Sequence, residues 1–151
     1  MNEEISKLLE AAMYKEVAAN AFYSQAAKNI DDPGAKKLLK ELADAEMKHL
    51  NTFKELRQDK IKSLKWHSDK AANLKKSEYL TGGENLEGAG LQDIIIFAIK
   101  QEQLSIEFYS QLMSVFRNLE AKKLCQWLVS EETGHKLKLE SFHNDFLYLQ
   151  D

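Results

Sequence analysis

The 151-residue sequence has one cysteine, Cys125, and one proline, Pro33. A lone cysteine cannot close an internal disulfide. With no Cys-x-x-Cys pair there is also no zinc ribbon, rubredoxin-type iron site or dithiol redox centre, so any redox chemistry must use other ligands. Glycine is scarce too: four of the six fall in the stretch TGGENLEGAG, which reads as loop. No apolar run approaches the 18 residues of a membrane span. The opening MNEEISKLLEAAMYKE is acidic where a secretory leader would be basic and then apolar, and the expectation is a cytoplasmic protein. The net charge of -3 comes from interspersed acids and bases, with no basic stripe for nucleic acid and no polybasic patch for a membrane surface.

What remains is a chain rich in alanine, leucine, lysine and glutamate, the strong helix formers, at a length expected to form one domain spanning 1–151. Apolar residues recur at the 3.6-residue period in four segments. The first runs from about 3 to 30, with Ile5, Leu8, Leu9, Ala12, Met13, Ala19, Tyr23, Ala27 and Ile30 on one stripe. Asp31-Asp32-Pro33-Gly34 ends it. Asp32 is placed to cap a second helix with Pro33 at its first position; its inner face carries Leu38, Leu39, Leu42, Leu50, Phe53 and Leu56, and it fades near Lys60. Residues 61–90, including Trp66, read as a long connection. A third helix starts near Leu91 and reaches about Arg117, with Ile95, Ala98, Ile99, Tyr109, Leu112, Met113 and Phe116 inward. The fourth carries Leu124, Leu128, Leu139, Phe142 and Phe146. Two short links and one long one predict an all-α four-helix bundle with a crossover between helices two and three.

The two halves repeat. FYSQ occurs at Phe22 to Gln25 and at Phe108 to Gln111, and AKKL at Ala35 to Leu38 and at Ala121 to Leu124, both offset by 86 residues. The same shift carries Glu16 to Glu102, Glu46 to Glu132 and His49 to His135. A glutamate and a histidine three apart lie on one helix face, and here each pair sits on an apolar stripe. Glu16 and Glu102 interrupt apolar faces in the same way. A single Glu-x-x-His is commonly a solvent-facing pair; two in register with two further glutamates are not explained that way. Glu131 also shares a face with His135, but the repeat selects Glu132. His67 and His143 have no partner at ligand spacing and are expected to face solvent. Cys125 reads as a small hydrophobe in the fourth helix.

Four carboxylates in one core would repel one another and lose their hydration, and burying even one unpaired charge costs several kcal/mol. No lysine or arginine lies on these stripes at the right depth. Two divalent cations would balance the four negative charges and leave both imidazoles neutral. Carboxylates with one imidazole per ion suit iron or manganese better than calcium, which takes oxygen only, or structural zinc, which favours thiolates.

These residues resemble the ligand set of ferritin-like di-iron carboxylate proteins, in which two helices give one Glu each and two give Glu-x-x-His. The paired Glu-x6-Tyr spacing, Glu16 with Tyr23 and Glu102 with Tyr109, and the half-repeat make the chain most similar to the di-iron domain of the rubrerythrin group. The resemblance implies a ferritin-like bundle whose metal ligands are Glu16, Glu46, His49, Glu102, Glu132 and His135. It also implies that the hydroxyls of Tyr23 and Tyr109 hydrogen-bond metal-binding carboxylates and serve catalysis from there. The implied cofactor is two non-haem iron ions, with manganese or zinc as alternatives. The implied activity is reduction of hydrogen peroxide or dioxygen, an oxidative-stress function. Rubrerythrins carry a rubredoxin-like domain with four cysteines; those cysteines are not in this sequence, so the expected electron donor is a separate protein such as a rubredoxin. The extra third-helix glutamate of the group is also missing, its positions being Ile99 and Ser105. Two other readings stay open: ferrous-iron oxidation and storage, and a metal-binding bundle with a structural or regulatory role. A homodimer is the implied assembly.

Overall fold

A computed structural model describes residues 2–57 and 90–150. Among them are four helices and no strand: α1 (Glu3–Asn29), α2 (Pro33–Leu56), α3 (Leu91–Val115) and α4 (Leu119–Gln150). The all-α expectation is met. The chain divides into two compact units, one holding α1 from Ser6 onward with α2, the other holding α3 and α4 with the residues up to Ile5. Each unit carries one copy of the sequence repeat. No described helix is long and apolar enough to cross a membrane. The expected connection over 61–90, with Trp66 and His67, lies outside the described residues except for Gly90, which precedes α3.

The α1–α2 hairpin is set by its turn. Asp32 accepts a hydrogen bond from the Ala35 amide at 2.9 Å and Pro33 opens the helix, as the sequence predicts. Lys36 Nζ donates to the Ala27 carbonyl at 2.7 Å, satisfying one of the acceptors left over at the end of α1. Further along, Asn20 Nδ2 donates to the Ala43 carbonyl at 2.8 Å. Partner numbers fall along α1 as they rise along α2, so the helices are antiparallel. Leu8, Leu9, Ala12, Met13, Tyr23, Leu39, Leu42, Leu50 and Phe53 are buried. Three expectations need correction. Ala18 is buried while Ala19 is half-buried, because the inward arc of α1 is shifted by one residue. Leu38 is only half-buried. Leu56, at the last position of α2, is 50% exposed rather than inward.

The α3–α4 hairpin repeats the same devices. Asn118, 86 residues after Asp32, accepts from the Ala121 amide at 2.9 Å, and Ala121 is the counterpart of Ala35. Only Phe116, Arg117 and Asn118 join the helices, so α3 ends two residues before Arg117. Phe116 is buried with Ile94, Ile95, Ala98, Tyr109, Ala121, Cys125, Leu128 and Leu139. Ile5, Ile99, Leu112, Met113, Leu124, Phe142 and Phe146 are half-buried at the margins of their stripes.

The link is also clamped from the N-terminus of the chain. The Glu4 carboxylate accepts from the Arg117 amide at 2.9 Å and the Asn118 amide at 2.6 Å. These two backbone hydrogen bonds, aided by the Arg117 and Lys122 charges, hold the Glu4 carboxyl below its ordinary 4.5. A depressed carboxylate contributes stability that is present above its unfolded value and is lost as pH falls through the folded one. Glu4→Gln is therefore expected to lower the melting temperature at neutral pH. The difference from wild type should close as pH drops below 4.5, measured by thermal melts across pH. A pH-independent difference would mean that the carboxylate's charge is not what clamps the link.

Gly134 lies inside α4, where a helix interior disfavours glycine, and a Cβ built there meets nothing within 4 Å. Gly134→Ala is expected to stabilise the protein by about 0.5–1 kcal/mol, read from urea denaturation, through lost freedom in the unfolded chain.

Candidate metal centre

Each hairpin buries two carboxylates and one imidazole. On the first, Glu16 comes from the middle of α1 and Glu46 and His49 from adjacent turns of α2. None is more than 4% exposed. His49 Nδ1 lies 3.2 Å from Glu16 Oε1. Each of the three offers a ligand atom within 4.8 Å of the others, an arrangement that can hold a metal ion. The antiparallel pairing of α1 with α2 creates this meeting, since it brings residue 16 opposite residue 49.

The second hairpin makes the same group from Glu102 on α3 and Glu132 and His135 on α4, none more than 7% exposed. His135 Nδ1 stands 3.8 Å from Glu102 Oε1 and 3.8 Å from Glu132 Oε2. Again the three ligand atoms lie within 4.8 Å of one another. In both hairpins Nδ1 is the ring nitrogen turned to the carboxylates. Glu131, the rival at helical spacing, is half-buried and outside the cluster.

Among the described residues the only other buried charged side chain is Arg57. It sits at the end of α2, about 12 Å along the axis from His49, too far to neutralise the first group. Two carboxylates and a neutral imidazole ask for one divalent charge per hairpin, and hard oxygen donors with one nitrogen suit a first-row ion such as iron or manganese. The donor set fits the group that the sequence implies.

Tyr23 and Tyr109 are both buried, each meeting the phenylalanine before it edge to face, Phe22 at 5.3 Å and Phe108 at 5.4 Å between ring centroids. The repeat therefore extends to the aromatic packing.

The two copies differ in how they are braced. Gln103 and Lys136 each follow a cluster residue, and Lys136 Nζ donates to Gln103 Oε1 at 2.8 Å while Gln103 Nε2 donates to Glu107 at 3.2 Å. Gln103 is half-buried and ties α3 to α4 at the depth of the cluster. The signal was available, because the shift of 86 replaces Val17 and Leu50 with Gln103 and Lys136, an apolar pair exchanged together for a polar one. His143 departs from expectation. It is half-buried with Nε2 shielded from water, because it follows the buried Leu139 by one helical turn. It belongs to no metal-holding group among the described residues.

Cys125 is fully buried on the same stripe of α4 as Leu128 and Glu132, and desolvation pushes its thiol up to about 11. So little thiolate exists at neutral pH that alkylation by iodoacetamide is expected only on unfolding, at least tenfold slower than for an exposed cysteine. Rapid labelling of the native protein would contradict that burial.

An all-α protein with a Glu and a Glu-x-x-His gathered on each of two repeated hairpins falls in the class of carboxylate-histidine metal proteins built on helices. The family model Rubrerythrin matches residues 7–143, and the chain belongs to the rubrerythrin family, a ferritin-like di-iron carboxylate family. That membership gives the fold class, the ferritin-like four-helix bundle. No curated protein and no solved structure matches the chain.

Proposed function

We propose that Glu16, Glu46 and His49 on one hairpin and Glu102, Glu132 and His135 on the other hold two iron ions, and that the protein is an oxidoreductase reducing hydrogen peroxide or dioxygen. Electrons come from a separate donor protein such as a rubredoxin, and the setting is the cytoplasm. The observation that carries this reading is the buried Glu, Glu and His group repeated on each hairpin, since such a density of acid is stable in an apolar interior only with cations among it. Two iron ions held by these residues would supply a two-electron reductant for a small oxidant. The chain's own residues do the rest. The four carboxylates balance the cationic charge, and the two Nδ1 atoms present lone pairs. Leu42, Phe53, Leu128 and Leu139 wall the stripes against water. Tyr23 and Tyr109, buried two helical turns beyond Glu16 and Glu102, serve in this reading as proton or electron relays to the oxidant, which needs two protons for each peroxide reduced to water.

The absence of a further carboxylate near Glu102 favours a second reading, in which the same centre oxidises ferrous iron and passes it on. The positions three residues either side are Ile99 and Ser105. One experiment separates the two: anaerobic loading with ferrous iron, then a stoichiometric peroxide pulse followed by optical and iron analysis. Iron retained through repeated reduction and oxidation supports peroxide reduction, and iron that accumulates as mineral supports storage. Fewer than one metal ion per two chains after anaerobic reconstitution would end both, and retention of zinc alone would leave the structural role.

A further inference from the structure

The two hairpins repeat their acids and imidazoles but not the residues next to them. Gln103 follows Glu102, and Lys136 follows His135. The two meet, with Lys136 Nζ donating to Gln103 Oε1 at 2.8 Å and Gln103 Nε2 donating to Glu107 at 3.2 Å. Counted back by 86, Lys136, Gln103 and Glu107 become Leu50, Val17 and Ala21, so the whole polar chain is apolar in the first hairpin. Leu50 is buried and Val17 half-buried, and hydrocarbon fills the places that an ammonium and an amide take in the second. Lys136 also lies one helical turn beyond Glu132, a spacing at which Cβ atoms stand about 5–6 Å apart. It is half-buried, and the amide of Gln103 holds the ammonium back from open solvent. A charge held this way is screened less than one in bulk water and acts more strongly on its neighbours. Glu107, at the far end of the chain, is exposed and offsets little of it. The ligand groups themselves differ in the same sense. His49 Nδ1 lies 3.2 Å from Glu16, whereas His135 Nδ1 stands 3.8 Å from both Glu102 and Glu132.

We infer that Lys136, held in place by Gln103, makes the α3–α4 hairpin the weaker of the two metal positions, so that ferrous iron fills the α1–α2 hairpin first. The inference rests on the reading of both hairpins as iron ligands. A divalent ion bound by Glu102, Glu132 and His135 sets its charge beside a fixed positive charge. One bound by Glu16, Glu46 and His49 has Leu50 in that place. Like-charge repulsion therefore raises the dissociation constant on the second hairpin and leaves the first untouched. Lys136 and Gln103 give no donor atom to the metal. They tune and position the ligands beside them. The ion on α3 and α4 is the one that exchanges with solution and the first lost to a chelator, while the ion on α1 and α2 stays.

Anaerobic calorimetric titration of the metal-free full chain with ferrous iron tests this. The wild type is expected to take up two ions in separate steps, with dissociation constants about tenfold or more apart. His49→Ala should remove the tighter step and His135→Ala the weaker one. Lys136→Gln keeps a donor for the Gln103 amide and removes the charge, and it should tighten the weaker step by about threefold or more while leaving the tighter one unchanged. Lys136→Arg keeps the charge and should keep the wild-type separation. The double variant Gln103→Val/Lys136→Leu copies the apolar pair of the first hairpin and should bring the two steps together, a second reading should a single variant fold poorly. If the pair only braces the helices, Lys136→Gln leaves both steps where they were, and the inference fails. Two ions of equal affinity in the wild type, or a tighter step lost with His135→Ala, overturn it as well while leaving the two-iron reading intact. Fewer than one ion per two chains in the wild type ends that reading, and this inference with it.

Discussion

Glu46→Gln is expected to reduce tightly bound iron from about two ions per chain to one or none, and to cut peroxide turnover at least a hundredfold. The same substitution should have the opposite effect on the metal-free protein. In the apo state Glu46 is a carboxylate with 1% exposure, close to Glu16 and His49, and two such acids cannot both ionise there without cost. An isosteric amide removes that charge, and a gain of about 1–4 kcal/mol in apo stability is expected from the size of buried-charge penalties. Urea titration of both proteins with and without ferrous iron gives the answer. Crossing of the two effects is the signature of a centre that is poor for folding and good for binding. His143→Ala is the control, expected to change neither metal content nor turnover, because His143 joins no metal-holding group among the described residues. If Glu46→Gln binds iron as the wild type does, the ligand assignment fails.

Loading the apo protein with ferrous iron under anaerobic conditions is expected to raise its melting temperature by roughly 15–30 °C. A ligand a thousandfold above its dissociation constant adds about 4 kcal/mol per ion. For a chain of this size each kcal/mol moves the midpoint by about 2–4 °C. Removal by a chelator should reverse the shift. The buried Glu and His groups are the reason for so large an effect, since each bound cation also relieves repulsion between carboxylates held within 4.8 Å of His49 on one hairpin and His135 on the other. A shift of less than about 3 °C would mean that the carboxylates are held by something other than metal.

Much of this centre could be read before any coordinates, for a definite reason. Helical periodicity translates spacing into direction, so Glu46 with His49 and Glu132 with His135 had to share faces, and apolar neighbours said which face. Internal duplication then acted as a second measurement on the same chain. It chose Glu132 over Glu131, and the structure leaves Glu131 half-buried outside the cluster. Caps were legible on the same grounds: Asp32 before Pro33 is a local signal, completed by a bond to an amide three residues on.

Contacts between distant parts of the chain were not legible. Glu4 looked like one more acid in the first turn of a helix, and nothing local shows that its carboxylate closes the α3–α4 link more than a hundred residues away. Nothing local to Gln103 shows that Lys136, on the next helix, donates to it. Leu56 continues the apolar period of α2 and is nevertheless exposed, because periodicity gives direction around a helix but not whether anything lies there to cover it.

The amino-acid order alone determined four helices, two matched halves, the apolar stripes and the six acids and imidazoles set into them, because each of these follows from short-range geometry along a helix. The tertiary structure decided which side chains actually meet: Glu16 with His49, Glu102 with His135, Glu4 with the α3–α4 link, and how deeply the six acids and imidazoles are buried. Those outcomes depend on how far one helix slides and rotates against its neighbour, and that is fixed by packing summed over many side chains rather than by any local run of residues.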